Sequence, residues 1–187
     1  MARKPAPSAV PSPPPAPADA PAAAPPGGGL EIRAAWRRDD PQIEADAIHF
    51  WTRLDLLPPD VTPEQRAKEL IAAAYQNGRL VAVATATIER FDYLRANFAV
   101  LRGATDPACR RSGAQLALAV PSRRILEQWA ADHPEARLAG GIAFLEPGEW
   151  GDFAKIPVWP ESGLAFIGYA TDGRQVRVAW FDDYRLE

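Results

Sequence analysis

The sequence has a single cysteine, Cys109, among 187 residues. A lone thiol excludes an intramolecular disulfide framework and agrees with a reducing compartment. Histidine is almost as scarce: His49 and His133 stand far apart, and neither lies near the cysteine. That spacing argues against a zinc site of the usual type, and no metal is expected. No apolar run is long enough to span a bilayer. Arg3-Lys4 is followed by prolines rather than by the apolar centre of a secretory signal, and the proline density argues against a transit peptide. Charge of one sign is not in excess, since 21 Lys and Arg against 24 Asp and Glu leave a net charge of −3. Non-specific nucleic-acid binding through overall charge is therefore not indicated. Together these absences predict a cytoplasmic protein with neither a nucleic-acid nor a membrane partner.

What is present divides the chain in two. Residues 1–29 hold half of the 20 prolines, with Ala and Ser between them and a Gly-Gly-Gly end. No apolar period runs through them, so they bury too little surface to offset the ordering of their backbone. They are expected to be a disordered, partly polyproline-II tail or tether. Residues 30–187 fit one domain of ordinary size.

In that domain Leu30–Trp36 alternates as a strand. Asp40 followed by Pro41 starts a helix, with Ile43, Ala47, Phe50 or Trp51, and Leu54 on one face. Thr62-Pro-Glu-Gln65 is a capping box for a second helix. Ala67, Leu70, Ile71 and Ala74 give that helix its buried face, and Asn77-Gly78 closes it. Leu80–Ile88 and Ala96–Thr105 are two long strands around a turn at Phe91–Leu94. A helix runs from Ala114 towards Asp132, with a kink or restart at Ser122 because Pro121 removes a ladder hydrogen bond. Leu138–Leu145 is a strand, residues 146–162 are irregular, and Leu164–Ala170 pairs with Gln175–Phe181 around Thr171-Asp-Gly-Arg174. The fold class is α/β (α+β), with a mixed, largely antiparallel sheet in the order β-α-α-β-β-α-β-(irregular)-β-β.

The most informative stretch is Thr105-Asp-Pro-Ala-Cys-Arg-Arg-Ser-Gly113-Ala-Gln115, which turns a strand into a helix. The first amides of such a helix are unpaired, and with the positive end of the helix dipole they suit a phosphate or pyrophosphate. Arg110 and Arg111 add charge of the right sign, and Gly113 allows close approach of the backbone.

Element order and turn together resemble the GNAT-type N-acetyltransferases. In that family a strand ending in Val-x-Pro is followed by Arg/Gln-x-x-Gly-x-Gly/Ala, which cradles the pyrophosphate of acetyl-CoA. Thr105-Asp-Pro107 matches the first part and Arg110-Arg-Ser-Gly113-Ala-Gln115 the second, with Leu118 at a core position of the family helix. The resemblance covers about Leu30–Leu145 well and the remainder loosely. It implies an acyltransferase domain over residues 30–187 that uses acetyl-CoA, or another acyl-CoA, as co-substrate. Thr105, Arg110, Arg111, Ser112, Gly113, Ala114 and Gln115 would hold it. Gln115 departs from the family's Gly or Ala and Arg111 from a common Gly, so both narrow the site. The resemblance also implies a V-shaped split between the strand ending near Thr105 and Leu138–Leu145, where the pantetheine arm would lie. Gly140-Gly141 suits close approach there, or simply relieves packing.

Acyl transfer needs positioning, a donor for the carbonyl oxygen, a base for the amine proton and an acid for the departing thiolate. The family often places a tyrosine in the segment after the fifth strand, but residues 146–162 contain none. Tyr169 is a candidate acid, or otherwise a tyrosine packed on the sheet, with Tyr184 farther on. Glu146, Glu149 and Asp152 are candidate bases, as is Glu89 on the long strand; each is otherwise an ordinary solvated acid. Arg123 and Arg124 could reach the ribose phosphate, and Trp150, Trp159 and Trp180 line an acceptor pocket or fill the core. His49 reads as a helix-face residue, His133 as a helix end, and Cys109 lacks a partner histidine. The acceptor is a small-molecule or peptide amine, and a homodimer is compatible with the sequence. The alternative is a non-catalytic GNAT-fold binding or structural protein that has lost the catalytic groups.

Overall fold

A central strand of small residues is sandwiched between two helical layers, and this arrangement sets the architecture. The computed structural model describes residues 29–110, 112–148 and 150–185. The proposed tail, apart from Gly29, lies outside them, as do Arg111 and Glu149. The strands are β1 (Leu30–Ala34), β2 (Leu70–Gln76), β3 (Arg79–Phe91), β4 (Ala96–Thr105), β5 (Leu138–Leu145), β6 (Ala165–Tyr169) and β7 (Gln175–Trp180). The helices are α1 (Pro41–Leu54), α2 (Pro63–Ala67) and α3 (Ala114–Asp132). The seven strands form one sheet in the order β1-β2-β3-β4-β5-β7-β6. Every pairing is antiparallel except β4 with β5, which α3 connects as a crossover. The expected fold class holds, with one strand more than the sequence suggested.

That extra strand is β2, and it corrects the second helix. The Thr62–Gln65 capping box forms as expected, with the Gln65 amide donating to Thr62 Oγ1 at 3.2 Å and the Thr62 amide to Gln65 Oε1 at 3.1 Å. The helix ends at Ala67, however, and Leu70–Gln76 pairs with both β1 and β3. Leu70, Ala73 and Tyr75 pack under α1, while Ile71, Ala72 and Ala74 pack towards α3. A segment buried on both faces gains more from sheet pairing and two-sided packing than from alanine's helix propensity. Asn77 and Gly78, expected to close a helix, instead form the β2–β3 hairpin turn, both at positive φ (52° and 75°), as a two-residue hairpin demands.

On one face, α1 is capped by Asp40, whose side chain accepts from the Gln42 and Ile43 amides, each at 3.1 Å. Ile43, Ala47, Phe50 and Trp51 are its buried stripe, each large side chain contributing about 1.5–3 kcal/mol. On the other face, α3 buries Ala114, Leu118 and Leu126. It runs unbroken through Pro121 to Asp132, so the expected restart at Ser122 does not occur. Trp129 meets Trp36 edge-on at 5.8 Å and stacks on His133 at 4.6 Å. Between β5 and β6 the irregular segment folds around Trp159, which contacts Trp150 at 4.9 Å and Phe153 at 5.4 Å. Trp180 packs on Phe98 at 4.9 Å. Trp150 and Trp159 therefore join a core cluster, whereas Trp180 is 37% exposed. No described helix is long and apolar enough to cross a membrane.

Candidate active site

The site is built around β4. Its parallel pairing with β5 ends at Leu101 and Ala143, whereas its pairing with β3 continues to Thr105. Residues 102–105 therefore present a strand edge with no partner strand on the β5 side. Gly140 and Gly141 lie inside the paired part, opposite Phe98 and Ala99. A Cβ on Gly141 would meet the Leu101 side chain at 2.8 Å, and one on Gly140 the Ala179 carbonyl. Their smallness serves the packing of the protein's own strands, which is one of the two roles the sequence left open for them.

Past Thr105 the chain makes a 3-10 turn at Pro107–Cys109 and reaches Gly113, the α3 N-cap, at φ 81°. A Cβ there would meet nothing within 4 Å. The Ala114 amide donates to Ser112 Oγ at 3.3 Å and the Ala117 amide to the Gly113 carbonyl at 2.8 Å. Among the described residues, the Gln115 and Leu116 amides have no hydrogen-bond partner. Arg110 is exposed beside them. The Gln115 side chain lies across Gly103, where a Cβ would come within 2.1 Å of its Nε2. Its Oε1 accepts from Thr105 Oγ1 at 3.0 Å. Gly103 thus makes room for the Gln115 side chain.

Asp106 anchors this corner. Its carboxylate is buried, with 3% of the side chain exposed. It accepts from the Ala108 amide at 2.9 Å, from Arg53 of α1 at 3.0 Å and from Arg79 of β3. Burial pushes its pKa up, but the Ala108 amide and the two guanidinium groups outweigh this and hold it below the usual carboxylate range. Arg53 and Arg79, with Asp46, His49 and Phe50, also wall a groove of about 480 Å³ beside α1. At its far side the Tyr75 hydroxyl donates to Asp46 at 2.8 Å, and burial with that contact raises the phenol's pKa.

On the face of β4 opposite Gly103 and Gln115, a charged cluster stands where β4 and β5 part. Arg102 donates to Thr87 Oγ1 at 3.2 Å and has Glu69 and Glu89 each at 3.7 Å. Glu69 is held by the Arg66 guanidinium at 2.6 Å, and Glu89 accepts from Thr87 at 2.8 Å. Burial and the nearby Arg66 lower the Arg102 pKa, while Glu69 and Glu89 oppose the shift. Arg174 lies over the Phe144 ring at 5.1 Å and 3.8 Å from Glu146. Of these, only Glu89 and Glu146 were candidates on sequence grounds. Arg102, Glu69 and Asp106 were missed, although Arg102 interrupts an apolar strand and Asp106 precedes a proline at a turn.

Other candidates are placed elsewhere. Tyr169 is 70% exposed on the edge strand β6, separated from β5 by β7. Tyr184 packs near Trp180 at 5.9 Å. Asp152 is exposed and paired with Lys155 at 2.7 Å. Arg123 ties α3 to the β5–β6 segment through the Ser162 carbonyl and to the end of the sheet through the Trp180 carbonyl and Asp182, which leaves Arg124 as the exposed member of the pair. No group of three or more metal-ligating side chains occurs among the described residues.

No protein-family model matches the sequence. No curated protein matches it either. Solved structures do match. A GNAT-family acetyltransferase from Streptococcus pneumoniae superposes with a TM-score of 0.51 at 14% identity, covering 82% of this chain and 99% of that one. The ribosomal-protein-S5-alanine acetyltransferase of Vibrio fischeri gives 0.50 at 14% identity, over 84% and 96%. A mutant of the toxin AtaT, bound to the C-terminus of the antitoxin AtaR and acetyl-CoA, gives 0.51 at 14% identity, over 83% and 95%. At identities this low the likeness is one of architecture, and it establishes the chain as a divergent member of the GNAT fold.

Proposed function

We propose that the protein binds an acyl-CoA and passes its acyl group directly to an amine. The observation that carries this is the fork at Leu101 and Ala143: the unpaired edge of β4 leads straight to a helix start with open amides and an unobstructed glycine. Those features fit an acyl-CoA. The Gln115 and Leu116 amides at Gly113, with Ser112, Ala114, Arg110 and Arg111, would hold the diphosphate. The free edge of residues 102–105, including Thr105, would take the amide groups of the pantetheine arm. A neighbour of this fold, the AtaT toxin, is seen with acetyl-CoA bound.

The co-substrate supplies an activated thioester. The protein supplies position, which accounts for much of the rate in such transfers, and a base. Glu89, half-exposed and held by a hydrogen bond from Thr87, would take the amine proton directly or through one water. Overall one C–N bond forms and one C–S bond breaks, with a proton returned to the departing thiolate. Gln115 and the absence of a tyrosine from residues 146–162 favour a second reading, in which the fold binds CoA without turnover.

Acetyl-CoA at 100 times its Kd should add about 2.7 kcal/mol of stability, a rise of about 5–11 °C in Tm for a chain of this size. Gly113→Asp should abolish the rise by placing a carboxylate at the phosphate. Gly113→Asn, which also tolerates positive φ, should keep part of it. No shift and no calorimetric heat with CoA in the wild type would overturn the proposal. Binding without turnover on an amine panel would select the second reading.

A further inference from the structure

Arg102 has more hydrogen-bonding capacity than the protein uses. A guanidinium carries five N–H donors in a planar fork. Among the described residues one bond is made, to the Thr87 hydroxyl at 3.2 Å. The Glu69 and Glu89 oxygens at 3.7 Å are close enough for charge attraction and too far for hydrogen bonds. The side chain is 39% exposed, and Arg102 is the first β4 residue beyond the last pair with β5. A cation with spare donors therefore stands at the fork with a carboxylate on either side.

Resting on the acyltransferase reading above, we propose that Arg102 selects the acceptor: it binds the carboxylate of an α-amino acid whose ammonium group faces Glu69 and Glu89. A carboxylate matches the guanidinium fork in two-point fashion, which a neutral amide cannot do. The ammonium gains two acidic neighbours, and Glu89 is the one free of an arginine hydrogen bond. Proton loss to it leaves the amine neutral for attack on the thioester carbon, with the acyl group moving from sulfur to nitrogen.

The test is a panel of L-amino acids, each beside its own carboxamide. Transfer from acetyl-CoA and calorimetric binding in the presence of CoA are both measured. At least one acid should exceed its amide tenfold or more in kcat/KM and in affinity. Arg102→Gln should bring that ratio to within about threefold, chiefly through KM for the acid. Arg102→Lys, which keeps the charge and loses the fork, should give an intermediate ratio. Both variants change only the side chain, leave the main-chain edge of β4 in place and should keep the Tm rise with CoA, which separates failure of this inference from failure of the acyltransferase reading. Amides matching or exceeding their acids in the wild type, no acid bound at all, or a ratio unmoved by Arg102→Gln would each overturn it.

Discussion

Replacing Asp106 by Asn tests whether a buried carboxylate locks the corner at which the co-substrate is proposed to bind. Three donors converge on it: the Ala108 amide, Arg53 and Arg79. The arginines are 34% and 58% exposed, so water solvates them once the charge is gone, and each pair is counted at about 0.2–1 kcal/mol. The amide bond weakens from a charged to a neutral acceptor, a loss of about 1 kcal/mol. The expected total is about 2 kcal/mol, or a fall of about 4–8 °C in Tm, measured by urea and thermal denaturation. The pH dependence has a definite sign. The folded pKa lies below the unfolded value of about 3.9, so the stabilisation is complete above that value and fades as pH falls through the folded one. The gap between wild type and Asp106→Asn should therefore close below about pH 4. A gap under about 0.5 kcal/mol at pH 7, or one undiminished at pH 3, would refute the assignment.

Two further predictions concern packing. Arg177 is fully buried and donates to the Ala154 and Ile156 carbonyls, each at 2.8 Å, to the Leu164 carbonyl at 3.3 Å and to Gln175 at 2.7 Å. Arg177→Leu orphans those acceptors and should cost about 3–5 kcal/mol, with loss of near-ultraviolet dichroism from Trp159, over which the guanidinium lies at 4.7 Å; a cost below about 1 kcal/mol would contradict this. Gly103→Val should drive Gln115 off the strand and destabilise by about 1–3 kcal/mol, and adding Gln115→Ala should recover most of that in a double-mutant cycle. Additive effects would show that the two residues do not compete for one space.

Local signals in the sequence carried α1, α3, β3, β4 and β5, because caps and apolar periods are properties of neighbouring residues. β2 was hidden because Ala67, Leu70, Ile71 and Ala74 satisfy a helical period and alanine is a good helix former. Only the partners on both sides, β1 and β3, make it a strand. Asn-Gly was equally ambiguous, since positive φ serves a helix end and a hairpin alike. The corner at Gly113 was legible for the same reason as the helices: strand, turn and helix are contiguous there. The Arg102 cluster was not, because Glu69, Glu89 and Arg102 come from three elements that only the sheet register brings together. The buried Arg177 was invisible for a related reason, as its acceptors belong to the irregular segment.

The alternation of β4 explains how one strand serves both halves of the proposed site. Arg102 meets Thr87, Glu69 and Glu89 on the α1–α2 side. Gly103 and Thr105 meet Gln115 on the α3 side. Successive side chains of a strand point to opposite faces, so the acceptor side and the co-substrate side can be changed independently, while the free edge between them is common to both. A substitution at Arg102 should therefore alter acceptor choice without touching CoA affinity, and one at Gly103 or Gln115 the reverse. If a one-residue slip in the β3–β4 register occurred, both sets would exchange faces together, and the long antiparallel pairing from Ala82–Thr105 to Phe91–Ala96 is what prevents it.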